Sequence, residues 1–401
     1  MTASGRIGAA RRPRNRRAQI LDAAAVLFHR SGYHDVGMEE IAAAVGITAG
    51  ALYRHFPGKQ DLLAEVLISG IAGYEDVARA AGPGLDAVVQ ALARHVLDRR
   101  DRGPLWRQLS RNLSPDQNAR VRLHLRSLAA TMAGALRATR PELPEADADL
   151  LAWAVLAVLG SPAEHNVVLP RPRMEGLLCG LALALCRTAR LPASGRPPVP
   201  AAPAATGGLV PASRRELLLA TAARLFQERG FAAVSMEAIG ATAGIAGPSI
   251  YNHFGSKADL LEAVFDRGTQ TLQLGLIQAL ATAGSPAQAL ELVVRSYVTQ
   301  ALRPDASLSL LYSEMVHLST AQVGAARRAQ REYIAEWVRL LPADPAEGRV
   351  AVQAALSMIN GLALTPHLRR RPGYAEEVIA LAMDVLGAAG TGTSAAPAVG
   401  R

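Results

Sequence analysis

Residues 20–66, ILDAAAVLFHRSGYHDVGMEEIAAAVGITAGALYRHFPGKQDLLAEV, return 198 positions later without a gap as residues 218–264, LLATAARLFQERGFAAVSMEAIGATAGIAGPSIYNHFGSKADLLEAV, with 21 of the 47 positions identical. Self-similarity at a fixed offset constrains architecture before any single motif is weighed. It predicts a chain assembled from two related units.

Each copy has helical periodicity. In the first, Ile20, Ala23, Ala24, Leu27 and Phe28 fall on one buried stripe. Gly32 then ends the helix, because glycine tolerates the left-handed conformation found after a helix end. Leu218, Ala222, Leu225, Phe226 and Gly230 repeat the pattern, and Ser213 followed by Glu216 predicts a capping box at the start of that helix. Met38, Ile41, Ala42 and Val45 predict a short amphipathic helix broken at Gly46, then a second short helix from about Thr48 to Phe56 with Leu52 and Phe56 turned inward. The other copy places Met236, Ile239 and Ala243 before Gly244 and a helix at about 247–254, with Pro248 in the first turn, where a missing N–H costs little. Two short helices joined at a tight glycine turn form a helix-turn-helix. The second of them fits the major groove of double-stranded DNA while its partner holds it there.

Composition agrees with this reading. A chain of 401 residues exceeds one ordinary domain, and its Ala, Leu and Arg richness with only 4% aromatics favours an all-α fold. A net charge of +9 and a pI near 10.1 suit a polyanionic partner. The charge is uneven: residues 1–56 carry 8 Arg against 4 Asp/Glu, whereas residues 212–254 carry 4 against 3. The first copy is therefore expected to supply more of the salt-dependent phosphate attraction.

Cys179 and Cys186 lie seven residues apart in one expected helix, roughly 10 Å along its axis, beyond disulfide reach. They read as buried free thiols, suited to a reducing cytoplasm. No His/Cys cluster has metal spacing, so no metal site is expected. The opening MTASGRIGAARRPRNRRAQ lacks the apolar segment of a secretory leader. The longest apolar runs, from Leu150 and Leu177, fall short of the roughly 20 residues a bilayer requires. They read as buried helices, with no membrane partner. No nucleophile–base pair or phosphate loop appears, so no catalytic residue and no cofactor are expected.

The segments GITAGALYRHFPGKQDLL and GIAGPSIYNHFGSKADLL follow the pattern G-I-x-x-x-x-[LI]-Y-x-H-F-x-x-K-x-D-L-L, which resembles the DNA-binding domain of the tetracycline-repressor (TetR) family of transcriptional regulators. The resemblance covers about a quarter of the chain, in two copies. It implies recognition helices at 48–55 and 246–253, with Tyr53, Tyr251, Lys59 and Lys257 contacting phosphates. A phenol donates a hydrogen bond, and a lysine at a helix N-terminus adds charge beside backbone donors that already favour anions. Ser235 is expected to cap its helix and offer its hydroxyl to a phosphate; Gly37, in its place in the first copy, has no hydroxyl to offer. The basic residues Arg14, Arg16 and Arg17, and Arg214 opening the second copy, complete the expected DNA-binding set.

The chain departs from the family at Ala49 and Ala51, and at Gly247 and Ser249, where lysine and threonine are common. Base reading then falls to Thr48, Gly50 and Arg54 in the first copy and to Ser249 and Asn252 in the second. Arginine pairs with guanine and asparagine with adenine, so the two copies are expected to prefer different bases. Phosphate or solvent contact is the alternative for both. His55 and His253 read as helix-end packing residues.

Beyond each copy, residues 67–191 and 265–389 are helically patterned, with breaks at Pro83, Pro104, Pro141–Pro144 and Pro162 and near Pro286, Pro304, Pro342–Pro345 and Pro372. By resemblance these are effector-binding and dimerisation cores, with residues 147–160 and 173–190 facing 346–362 and 374–387 in a four-helix interface. Trp106, Met132 and Trp153, and Tyr297, Tyr312, Met315 and Trp337, are candidates to line cavities for an unknown small-molecule effector, with ordinary core packing as the alternative for each. The arginines at 99, 100, 102, 107, 111, 120, 122 and 126 would attract an acidic effector or simply form a solvated face.

Residues 192–212, rich in Pro, Ala and Gly, read as a linker of 21 residues, about 70 Å when extended and about 25 Å as a coil. Such a tether holds the halves at roughly millimolar effective concentration. The expected organisation is a disordered basic arm (1–17), a helix-turn-helix head (18–66), a core (67–191), the linker, a second head (213–264), a second core (265–389) and a disordered tail (390–401). The halves are expected to pair as an intrachain pseudodimer, with further homodimerisation left open.

Overall fold

A helix that is apolar on every side must be enclosed on every side, and the run LLAWAVLAVLG at 150–160 determines where the two halves meet. A computed structural model of the protein describes residues 16–100, 109, 112–188, 191–192, 213–245, 247–303, 314 and 317–391. Arg14, Trp106, Tyr312 and Met315 lie outside the described residues, as do Arg102, Arg107 and Arg111 and nearly all of the arm, linker and tail.

The first unit comprises α1 (Arg16–Ser31), α2 (Met38–Ala44), α3 (Ala49–Tyr53), α4 (Lys59–Ala80), α5 (Leu85–Asp98), α6 (Pro115–Thr139), α7 (Glu145–Gly160) and α8 (Arg171–Arg187). The second repeats the order with α9 (Arg214–Arg229), α10 (Met236–Ala243), α11 (Gly247–Ile250), α12 (Lys257–Thr282), α13 (Pro286–Ala301), α14 (Thr320–Arg339), α15 (Pro345–Ala363) and α16 (Tyr374–Thr391). No strand occurs among the described residues. α1 begins at Arg16, inside the stretch assigned to the arm. Matching capping boxes, Ser114 with Gln117 and Ser319 with Gln322, start α6 and α14.

α7 packs on α15 and α8 on α16, and within each unit the two helices also pack on each other, so the four form one bundle. Its apolar core is continuous from Ala78 to Ala389 and draws on both units, whereas each head has a core of its own. α7 with the 3-10 turn at Ser161–Ala163 makes 19 residues of mean hydropathy 1.3, long and apolar enough to cross a bilayer. Here α6, α8 and α15 cover it instead. Cys179 and Cys186 are buried free thiols in α8, and burial pushes Cys186 up to about 12.

The bundle follows two-fold logic. Asp147 is the third residue of α7 and Glu347 the third of α15, and each meets an arginine of the other unit: Arg371 Nη2 donates to Asp147 at 2.6 Å and Arg173 Nε to Glu347 at 2.5 Å. Between them, Ala157 and Ser357 face each other, with Ser357 Oγ donating to the buried Ala157 carbonyl at 3.1 Å. Reciprocal contacts of this kind define a closed dimer interface. In this chain two different sequences write them.

The heads form for local reasons. Gly46 and Gly244 take positive φ, +66° and +67°, at the turn between the two short helices, where a side chain would be strained. Thr48 Oγ1 caps α3 by accepting from Ala51 N at 3.2 Å, and Ser235 Oγ caps α10 by accepting from Ala238 N at 3.1 Å. α3 and α11 are shorter than the periodicity predicts, because the chain tightens after Leu52 and Ile250 into turns closed by His55 and His253. The expected capping box at α9 forms only in part. Ser213 accepts from Glu216 N at 3.5 Å, but the Glu216 carboxylate takes two bonds from Arg267 at 2.8 and 2.9 Å. A guanidinium is the stronger donor.

The helix-turn-helix packing also differs between heads. A Cβ on Gly240 would lie 2.4 Å from Ile250 Cδ1 and 2.8 Å from the Ile245 carbonyl oxygen, whereas Ala42 stands at the same place in the first head. The second recognition segment therefore sits closer to its supporting helix.

This packing sets the expected cost of single substitutions. Arg371→Ala strands Asp147 and Glu377, whose side chains are 9% and 1% exposed, and should cost about 3–5 kcal/mol in chemical denaturation. Arg173→Ala, where the guanidinium is half-exposed, should cost less than Arg371→Ala. Gly240→Ala should lower stability by about 1–3 kcal/mol through overpacking, whereas Ala42→Gly should cost no more than about 1 kcal/mol. Equal losses at the two positions in thermal melts would contradict the packing difference.

Candidate nucleic-acid interface and effector cavity

In both heads one face of the recognition segment is buried and the other open. Leu52, Phe56, Ile250 and Phe254 point into the head cores, while Tyr53 and Tyr251 are 50% and 52% exposed. Thr48, Gly50, Arg54 and Asn252 are exposed, and Ser249 is half-buried. Nothing lies within 4 Å of a Cβ built on Gly50, so backbone or ligand can approach it closely. His55 and His253 are exposed at the turn that follows, rather than packed.

The basic residues divide into two groups. Arg54 and Arg214 are exposed. Arg16 Nη1 donates to the Val45 carbonyl at 3.1 Å, while Arg17 stacks over Phe56 at 4.6 Å and donates to Glu65 at 2.8 Å. Burial opposes ionisation of Glu65, yet hydrogen bonds from Arg120 and Arg17 win and hold it below the usual carboxylate range. Lys59 Nζ donates to the His34 carbonyl at 3.2 Å and lies over the Tyr33 ring. Lys257 Nζ donates to the Phe231 and Val234 carbonyls at 2.9 and 2.8 Å over the Phe231 ring. Burial lowers both ammonium groups, with Asp35 and Glu40 opposing the shift at Lys59. Each lysine thus ties the start of its helix to the loop after the first helix of the head.

Ser235, Tyr251 and Lys257 line one groove of the second head, together with Glu237. Glu237 is held below its usual range by its own backbone N–H and then by the hydroxyls of Ser235 and Tyr251. The first head lacks the serine. The heads also approach each other through residues that sequence patterns did not single out. His317, just before α14, stacks on Phe231 of the second head at 4.7 Å and lies 6.3 Å from His34 of the first.

A cavity of about 120 Å³ lies under the first head. Leu21 and Ala25 of α1, Tyr74 of α4, Val96 of α5, Trp153 of α7 and, from the other unit, Gly361 of α15 are on its wall. Of the cavity candidates among the described residues, Trp153 lines it; its ring also packs edge-on against His367 of the second unit at 5.9 Å. Met132 is buried in the core behind it, and Tyr297 and Trp337 are buried in the core of the second unit. The expected arginine cluster disperses. Arg100 donates to the carbonyls of Pro162, His165 and Val167 as a structural strut, Arg120 pairs with Glu65 at 2.9 Å, and Arg122 and Arg126 are exposed.

The family profile described as "Bacterial regulatory proteins, tetR family" matches residues 20–66 and 218–264. The HTH-type transcriptional regulator BetI of Rhizobium meliloti (strain 1021) is 31% identical over 181 residues, covering 44% of this chain and 88% of BetI. The HTH-type transcriptional repressor KstR2 of Mycolicibacterium smegmatis is 32% identical over 139 residues, covering 34% of this chain and 68% of that protein. Among solved structures, the ketosteroid transcriptional regulator KstR2 of Mycobacterium tuberculosis aligns with a TM-score of 0.39 at 21% identity, over 44% of this chain and 94% of that one. Since less than half of this chain matches most of BetI, and the DNA-binding segment occurs twice, the chain belongs to the tetR family of bacterial transcriptional regulators, as two tandem units in one polypeptide.

Proposed function

We propose that the chain is a ligand-responsive repressor that binds its operator as an internally paired monomer, with one head in each of two adjacent major-groove half-sites. The observation that carries this reading is the matched exposure of Tyr53 and Tyr251, 50% and 52%, on recognition segments of different sequence attached to one paired body. Both phenols are exposed, and the Tyr251 hydroxyl is shared with the Glu237 carboxylate beside it. Arg54 favours guanine and Asn252 adenine, so the operator need not be palindromic.

An effector held in a core favours a state with the wrong head spacing, and DNA is released by the difference in its affinity for the two states. The cavity under the first head supports this, because α1 of the head and α7 of the bundle share its wall. The partners are then double-stranded DNA and a small-molecule effector, and the setting is the cytoplasm.

A second reading is a regulator with one DNA-competent head. It is favoured by the charge balance of residues 212–254, 4 Arg against 3 Asp/Glu, compared with 8 against 4 in residues 1–56.

Selection of bound sequences from random DNA with the full chain, followed by measurement of the mass of the complex, tests both readings. An asymmetric site covering two half-sites and holding one chain is the expected outcome. A strict palindrome bound by two chains would overturn it. Tyr53→Phe and Tyr251→Phe should each weaken binding by about 1 kcal/mol, and an effect from only one of them selects the single-head reading. Arg54→Ala should cost about 1–3 kcal/mol and relax base preference in one half-site only.

A further inference from the structure

The two cores hold different side chains at matching places. Helix starts give the correspondence: the N-caps Gly84 and Ser285 align α5 with α13, Ser114 and Ser319 align α6 with α14, and the reciprocal pairs at Asp147 and Glu347 align α7 with α15. On that register Tyr297 stands where the first unit has Val96, Tyr333 where it has Leu128, and Trp337 where it has Met132. Val96 and Leu128 line the cavity of the first unit. Their aromatic counterparts pack on one another, with Tyr297 and Tyr333 each about 6 Å from the Trp337 ring, and Trp337 is 0% exposed.

The plug is also pinned. Tyr297 Oη donates to Asn360 Oδ1 at 3.1 Å, and the position of Asn360 corresponds to Gly160, another residue on the cavity wall of the first unit. Where the first unit has a valine, a glycine and open space, the second has a phenol bonded to a carboxamide. The buried Trp337 Nε1 has no hydrogen-bond partner among the described residues, so ring packing and the Tyr297 bond hold the cluster.

We infer that effector sensing in this chain is one-sided: the first unit takes a single small carboxylate with an aliphatic body, and the aromatic cluster of the second unit excludes an equivalent ligand. This rests on the ligand-responsive reading above and deepens it. The wall is mostly apolar, which selects the body of the ligand. Two charged residues, Asp22 and Arg99, also line the cavity. Asp22 already has a partner, while Arg99 is exposed at the end of α5 and presents a guanidinium suited to a carboxylate. Tyr74, pushed up to about 12 by burial, stays protonated and able to donate. At about 120 Å³ the space is close to the roughly 150 Å³ of an apolar cavity that holds benzene, so a short chain fits and a bulky ring system does not. A ligand here touches α1 of the first head and, through Gly361, the opposite unit. One molecule therefore acts on one head directly and on the shared bundle at once.

Calorimetric titration of the full chain with hexanoate tests this, with 1-hexanol as the neutral counterpart. One equivalent per chain is expected. The fluorescence change on binding should vanish in Trp153→Phe and persist in Trp337→Phe. Arg99→Gln should weaken hexanoate about tenfold and leave hexanol unchanged. The triple replacement Tyr297→Val, Tyr333→Leu and Trp337→Met should add a second equivalent. If that variant does not fold, stoichiometry and tryptophan response in the unaltered core still decide. Two equivalents in the wild type, a response reported by Trp337 alone, or no hexanoate binding at millimolar concentration would overturn the inference. DNA binding measured on the same preparation separates the two levels: a single hexanoate site without DNA binding removes the regulator reading and leaves the one-sided site standing.

Discussion

The structure depends on the mutual burial of α7, α8, α15 and α16. α7 has no polar face to turn to water, with Leu150, Ala152, Ala154, Val155 and Val158 all fully enclosed, so neither unit can close its core without the other. Interfaces of this kind resemble a domain core cut in half. Here the two pieces are covalently joined, and the core shows no seam between them. α4 and α12 lead from the bundle to the heads, so the placement of both heads follows from how these helices pack.

Pairing by two-fold logic leaves each half free to differ. In an ordinary homodimer every substitution is made twice, and the two ends of the interface stay equal. In this chain Arg371 is clamped by Asp147 and Glu377, while its counterpart Arg173 is half-exposed against Glu347 and Asp344. One helix-turn-helix is tightened by Gly240 and the other loosened by Ala42. At matching places one core lines a cavity and the other packs aromatic rings. The asymmetry runs through every level of the fold, from one turn to a whole core.

Much of this was legible in the sequence because it is written in short-range chemistry. The ungapped offset of the heads, the glycine turns, the proline breaks and the all-round apolar run at 150–160 predicted the helices and the heads, whereas the four-helix interface was implied by the family resemblance alone. The cores were harder to read. The offset of 198 that aligns the heads becomes 201 between the caps at Gly84 and Ser285, 205 between Ser114 and Ser319, and 200 between Asp147 and Glu347. Only the helix starts reveal that Tyr297 replaces Val96. The bonds of Arg17, Lys59 and Lys257 to protein acceptors, and the approach of His34 to His317, link residues remote in sequence and leave no periodic trace. The same holds for Gly240, whose meaning depends on the position of Ile250.

Fusing the halves also changes how such a regulator would respond to its own abundance. Two separate subunits must first meet, so at low copy number the active species falls with the square of the amount of protein. A bundle closed within one polypeptide has no such step, and its occupancy of a site would rise in simple proportion to the number of chains. A handful of molecules per cell would then suffice, and none of them could be drawn into mixed pairs with the subunits of a related regulator.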